Sequence, residues 1–242
     1  DISIKNSMFT GNEKGDIVVF TANDVIIENN NFDSAVRSFA SDYIIVRNNN
    51  FRSRELYSNV AVSIQSFVHF QNEEDTQGKE LNHHWQVYNN SIKEYSKGLA
   101  IAGQNQEIRN NVIENCEIGV FLIGNLWDST FNGNNIVSNM ASSRGYRNIN
   151  NAQNNRNILI SNETISVQKR PLDLFVLNEG SDLSTAQISI KNCILNSAKT
   201  SWDHTNFIKK SKNITLEGNV SNTEFEVVDS ENIVLINNTV TD

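Results

Sequence analysis

Basic and aromatic residues recur together in short turns along this chain. The stretch FRSRELY carries Arg52, Arg54 and Tyr57, and IKEYSK carries Lys93, Tyr95 and Lys97. Arg144, Tyr146 and Arg147 follow, then Lys169 and Arg170, and finally Trp202, Asp203 and His204. These residue types suit an acidic sugar polymer: a guanidinium pairs with a carboxylate through two parallel bonds, and an aromatic ring packs on a sugar face. Cleavage of a uronate by β-elimination needs a cation to neutralise the carboxylate, a base for the C5 proton and an acid for the leaving oxygen. Lys97 and Tyr95 are the candidates for proton transfer, and Arg54, Tyr57, Gln65, Lys93 and Trp127 are the candidates for holding the sugar chain. The opposing reading is that surface turns collect Lys and Arg in any case, and that Glu55 and Glu94 dilute the positive charge.

A second constellation lies in FQNEEDTQGKELNHH, which runs from Phe70 to His84 and holds Glu73, Glu74, Asp75, Glu80, His83 and His84. Glu73, Glu74 and Asp75 together could bind a hard cation such as calcium, which takes oxygen ligands. The spacing is not that of an EF-hand loop, and a solvated acidic loop is the competing reading. Glycoside hydrolysis would require two carboxyl groups. Glu224 and Glu226 alternate with apolar residues and share one strand face about 7 Å apart, a spacing that an exposed strand produces without any function. No nucleophile elbow supports Ser-His-Asp or Cys-His catalysis.

These residues are positioned by a repeat. Asp1 to Phe9 reads DISIKNSMF, and the same phrase returns as DVIIENNNF, YIIVRNNNF, HWQVYNNSI, NQEIRNNVI, NILISNETI, QISIKNCIL and NIVLINNTV. Asn holds the sixth place at Asn6, Asn29, Asn48, Asn89, Asn110, Asn162, Asn192 and Asn237, and Gly takes it at Gly133 and Gly218. Sixth places fall 19 to 30 residues apart, except for a gap of 41 between Asn48 and Asn89 that reads as two periods with one weak coil inside. Apolar alternation with period 2, repeated at this interval, specifies strands stacked in a solenoid. Asn suits the bend after each strand because it tolerates left-handed backbone geometry, and Gly substitutes for the same reason. Equivalent Asn side chains stacked in register would bond to one another as a ladder.

This pattern, over essentially the whole chain, resembles the right-handed parallel β-helix of the pectin-lyase-like superfamily. The resemblance implies an all-β, single-stranded solenoid with an internal Asn ladder. The xIxI stretch would be the second strand of each coil and the residues after Asn the third. DIVVF, AVRSF, NVAVSIQS, GLAIA, GVFLI, LDLFVL and TEFEVV would form the first sheet of about eleven coils. It implies binding of an extracellular polysaccharide, with cleavage by a lyase or hydrolase as a further expectation. Neither the paired-Asp motif of the polygalacturonase branch nor the lysine–arginine signature of the chondroitinase and alginate lyase branch is present. A non-catalytic adhesin, phage-spike or spacer β-helix is therefore the alternative.

Composition fits one domain over residues 1–242: 38% of the 242 residues are hydrophobic, and one Pro and 11 Gly leave no linker. The net charge of −8 disfavours nucleic acid as a partner. No apolar run reaches membrane-spanning length. The chain begins and ends on strands without capping helices, so a solenoid of this kind is expected to have its ends covered by flanking domains or by an oligomer. Cys116 and Cys193, about three coils or roughly 14 Å apart, are too distant to bridge. Five N-x-S/T sequons occur, three of them at Asn89, Asn162 and Asn237, where a ladder position would bury the side chain. On this reading the expected location is extracellular or cell-surface, and the expected partner is an anionic polysaccharide.

Overall fold

The computed structural model describes residues 1–12, 15–54, 60–65, 82–148, 155–175, 187–199 and 202–241, with backbone only at 65. Every element within them is a strand, and every strand pairing is parallel. The chain is a parallel β-helix. One sheet has ten strands, from Met8–Phe9 through Asn50–Arg52, Ser91–Lys93 and Thr164–Val167 to Thr239–Val240. Among the described residues this third sheet therefore counts ten coils, against the eleven or so expected.

The remaining strands form two ladders, joined where the long strand Ile118–Asn132 takes part in both. The second sheet holds the xIxI stretches, such as Asn23–Glu28, Asp42–Arg47, Gln86–Tyr88 and Glu107–Arg109. The first sheet contains the expected strands, Ile17–Phe20, Val36–Phe39, Val60–Gln65, Lys97–Gln104, Leu172–Phe175 and Phe225–Val228. It adds two polar ones that the alternation did not announce, Arg144–Asn148 and Asn206–Lys209.

Alternation decides which side chains point inward. Ile44 and Val46 are fully buried between half-exposed Ile45 and Arg47, as are Ile27, Val87 and Ile108 in neighbouring coils. Exact register stacks like on like. Phe9, Phe32 and Phe51 lie face to face with centroids 5.0 and 4.7 Å apart, matching the inter-strand repeat.

Two sequence expectations need correction. Asp42–Arg47 pairs directly with Gln86–Tyr88, and Asn50–Arg52 with Ser91–Lys93, so the coils on either side of the 41-residue gap are stacking neighbours and no further coil separates them. The ladder also sits one residue later than expected. The sixth-place residues Asn29, Asn48, Asn89, Asn110, Asn162, Asn192 and Asn237 all have φ between 50° and 57° and are exposed. The buried ladder is Asn30, Asn49, Asn90, Asn111 and Asn134, the seventh places. In each step the backbone N–H and side-chain Nδ2 of one Asn both donate to the Oδ1 of the next. Asn90 does so to Asn111 at 3.1 and 3.0 Å, and its Nδ2 also donates to Val46 O at 2.9 Å. Glu163 and Cys193 follow at equivalent places, and Asn219 and Asn238 resume the ladder. The sixth place is the left-handed bend itself. A Cβ on Gly218 there would lie 2.6 Å from Asn192 Oδ1. Sequons at Asn89, Asn162 and Asn237 are consequently on the surface. Both cysteines are buried and free, as their separation predicts.

Candidate functional site

The fold divides the basic and aromatic turns named above among three environments. Tyr95 points into the core. It is fully buried, and its hydroxyl donates to Ser34 O at 2.7 Å. Burial pushes this hydroxyl well above the ordinary phenol range, with nearby acidic groups adding to the effect. Tyr95 is thus a packing residue and cannot meet a surface substrate as a proton-transfer group. Tyr146 is buried in the same way, edge-on to Phe131.

Lys93 faces out from the third sheet, paired to Glu114, while neighbouring Arg52 bonds to Glu94 at 3.0 Å. Lys97 begins a first-sheet strand, with Nζ 5.1 Å from the Phe121 ring centroid. Arg54 is exposed and lies toward Gly11. Trp127 pairs in register with Gln104, at the far end of the strand that Lys97 begins, and Arg156 lies 4.3 Å over its ring. Lys97 and Trp127 therefore occupy opposite edges of the sheet. Between those edges the sheet offers no open trough, because the register neighbours Ser63 and Ala100 are only 1% and 3% exposed. Tyr57, the Gln65 side chain, and Glu73, Glu74 and Asp75 lie outside the described residues.

The later turns, from Arg144 to Asp203, do come together. Gly145 makes this possible, because a Cβ there would lie 2.3 Å from Pro171 O. Backbone contacts at that approach join successive turns, with Gly145 N donating to Arg170 O and Lys169 N to Ser143 O. Two carboxylates gather the cations. Asp173 lies 2.8 Å from Arg144 Nε, 3.1 Å from Arg170 Nη1 and 3.6 Å from Arg147 Nε. Asp203 lies 3.1 Å from Lys169 Nζ and 3.5 Å from Arg144 Nη2. The Arg144 Nε contact is an ion pair without hydrogen-bond alignment, and Arg170 Nε is likewise buried without a hydrogen bond. Four cations over two carboxylates leave a local excess of positive charge on a chain of net charge −8.

The carboxylates are nearly covered, whereas Arg147 and Lys169 have side chains 41% and 26% exposed. Outward residues continue the pattern along the sheet, with Phe121, Arg147, Asp173, Phe207 and Glu226 in register. Arg170 stacks 4.0 Å over Phe207, and Lys209 lies 5.7 Å from the Phe175 ring. Trp202, in the turn beside Asp203, is 87% exposed. The face thus joins spare positive charge, aromatic surface and a span of three coils, about 10 Å. Asp173 is the member that sequence reading missed. Its cue was the inward-outward alternation of LDLF, which sets Asp173 outward among basic turns.

The known proteins add a fold comparison. No protein-family model matches this sequence, and no curated protein matches it. A search of solved structures finds PfbA, a surface adhesin of Streptococcus pneumoniae, with a TM-score of 0.69. The match covers 98% of this chain and 68% of that one, at 14% sequence identity. At that identity the likeness concerns the fold: PfbA shares the β-helix architecture.

Proposed function

We propose that this chain is the rigid, surface-presented β-helix of an adhesin-type protein, and that it binds an anionic glycan without cleaving it. The observation that carries this reading is the cluster of Arg144, Arg147, Lys169 and Arg170 around Asp173 and Asp203. The nearly covered carboxylates hold the cations in fixed positions, so a sugar carboxylate or sulfate meets an array already ordered, at little cost in side-chain entropy. The exposed indole of Trp202 offers a ring for a sugar face. The fold comparison supports the adhesin setting and a cell-surface location, and the absence of a long apolar helix among the described residues is compatible with it. Binding is favoured over cleavage because one of the two expected proton-transfer groups, Tyr95, is sealed in the core.

The test is a binding panel of uronate-containing, sulfated and neutral polysaccharides at low and physiological salt. Acidic polymers should bind and lose affinity as salt rises, because exposed charge contacts are screened. Absence of binding to every acidic polymer overturns the proposal. Release of unsaturated uronate product, read by its absorbance, would replace it with the lyase reading.

A further inference from the structure

A separate group of residues sits where the first sheet turns into the second. Asp42 opens its strand, and His83 pairs beside it in the next coil as an isolated bridge, its N–H donating to Ser41 O at 3.1 Å. His84 follows with φ 52°, a left-handed residue like Asp24, Tyr43 and Asn105 at equivalent turns. In an extended strand, neighbours 83 and 84 would point to opposite faces. The left-handed bend instead allows both rings to reach Asp42. One donor atom from each of Asp42, His83 and His84 lies within 4.8 Å of the other two.

The supporting contacts define the state of this group. Asp42 Oδ1 accepts from Tyr43 N at 2.9 Å and lies 2.8 Å from His84 Nδ1. His84 Nε2 lies 3.1 Å from Asn105 Nδ2. With the amide donating to Nε2, the imidazole proton resides on Nδ1 and points at Asp42. The Tyr43 ring stacks on His84 at 4.6 Å and 4°, fixing the plane of the imidazole. His83 Nε2 is buried and has no hydrogen-bond partner. A buried imidazole nitrogen without a partner is costly and uncommon, and a bound cation would satisfy it.

We propose that Asp42, His83 and His84 form a binding site for a divalent transition-metal ion of the zinc class. The set has two imidazoles and one carboxylate, a donor combination that suits Zn2+, Co2+ or Ni2+ and not Ca2+, which prefers six or more oxygens. No covalent change is needed. The metal takes the Nδ1 lone pair of His84, the imidazole proton moves to Nε2, and the Asn105 amide turns to accept it through Oδ1. Asn105 then orients the ligand from behind, the usual part of a residue beside a metal-bound histidine. Three protein donors leave a coordination position open. The site borders, through His84, a cleft of about 600 Å³ that Tyr43, Gln86, Asn105 and Glu107 also line. This site lies on the second-sheet edge and does not depend on the glycan reading.

The experiment uses the untagged full chain. Zn2+ is titrated calorimetrically, and Co2+ is followed by its visible absorption, which intensifies in a tetrahedral nitrogen and oxygen environment. The expected result is about one equivalent of Zn2+ per chain, with Ca2+ and Mg2+ unable to compete. His83→Ala and His84→Gln should each lower Zn2+ affinity at least about tenfold, which corresponds to about 1.4 kcal/mol. Because His84 is partly exposed, His84→Gln should keep the wild-type circular dichroism and a cooperative melt, separating ligand loss from misfolding. Undetectable Zn2+ binding, equal binding of Ca2+, or unchanged affinity in the His83→Ala/His84→Gln double variant would each overturn the proposal.

Discussion

Asn134 donates from Nδ2 to Glu163 Oε1 at 2.9 Å, so a carboxyl group stands in the interior ladder where every earlier coil from Asn30 onward places an amide. Its second oxygen accepts from the Tyr146 hydroxyl at 3.0 Å. Burial raises the Glu163 pKa to about 7, against the opposing pull of the bonds from Asn134 and Tyr146. An acid whose folded pKa lies above its unfolded value makes the fold more stable when protonated. Its contribution is complete below the unfolded value near 4.5 and is lost as pH rises through about 7. The expected loss between pH 4.5 and pH 8 is up to about 3 kcal/mol from this group. Glu163→Gln keeps an acceptor for Asn134 and presents an amide to Tyr146, and should flatten that part of the profile. Denaturant melts of both proteins across this range check it. Parallel pH profiles would contradict the assignment.

The ladder shift yields a paired test. Asn111 accepts from Asn90 N and Nδ2 and donates to Asn134, all inside the core. Asn111→Leu leaves these groups unpaired and should cost about 2–4 kcal/mol, since each buried orphan costs roughly 1–3 kcal/mol. Asn110 is exposed at φ 53°, so Asn110→Gly should change stability by only a few tenths of a kcal/mol. Chemical denaturation of both variants distinguishes the seventh place from the sixth. Equal costs at the two positions would refute the distinction.

Tyr95 provides a test of the buried-tyrosine finding. Tyr95→Phe removes the bond to Ser34 O and should destabilise the fold by roughly 1 kcal/mol. Glycan affinity should be unchanged, because the ring does not reach the surface. A selective loss of binding with an unaltered melting temperature would show that Tyr95 contacts ligand.

The fold was readable because alternation and turn chemistry agree in nearly every coil. The one-residue error in the ladder arose where two Asn stand together, as at Asn29–Asn30, Asn48–Asn49 and Asn110–Asn111, since either could bend and either could bond. The distinction was present at Gly133–Asn134 and Gly218–Asn219, where Gly can supply the bend but no amide. RGYRN and NFIK went unassigned as strands because each places an asparagine, Asn148 or Asn206, at an inward position and so breaks the apolar half of the alternation. The site was less legible. Its charges are brought together across coils by Gly145 and Asp173, and a turn's sequence does not state how closely the next coil approaches it.

The most direct measurement of the central claim is the affinity of Arg147→Gln/Lys169→Gln for an acidic polysaccharide that binds the parent chain. Arg144 still bridges Asp173 and Asp203 in this variant, and Arg170 still holds Asp173, so the melting temperature should move by no more than a few degrees. Binding at low salt should fall at least about tenfold, near 1.4 kcal/mol, and its salt dependence should become shallower. Unchanged affinity and an unchanged salt slope in the folded variant would contradict the account.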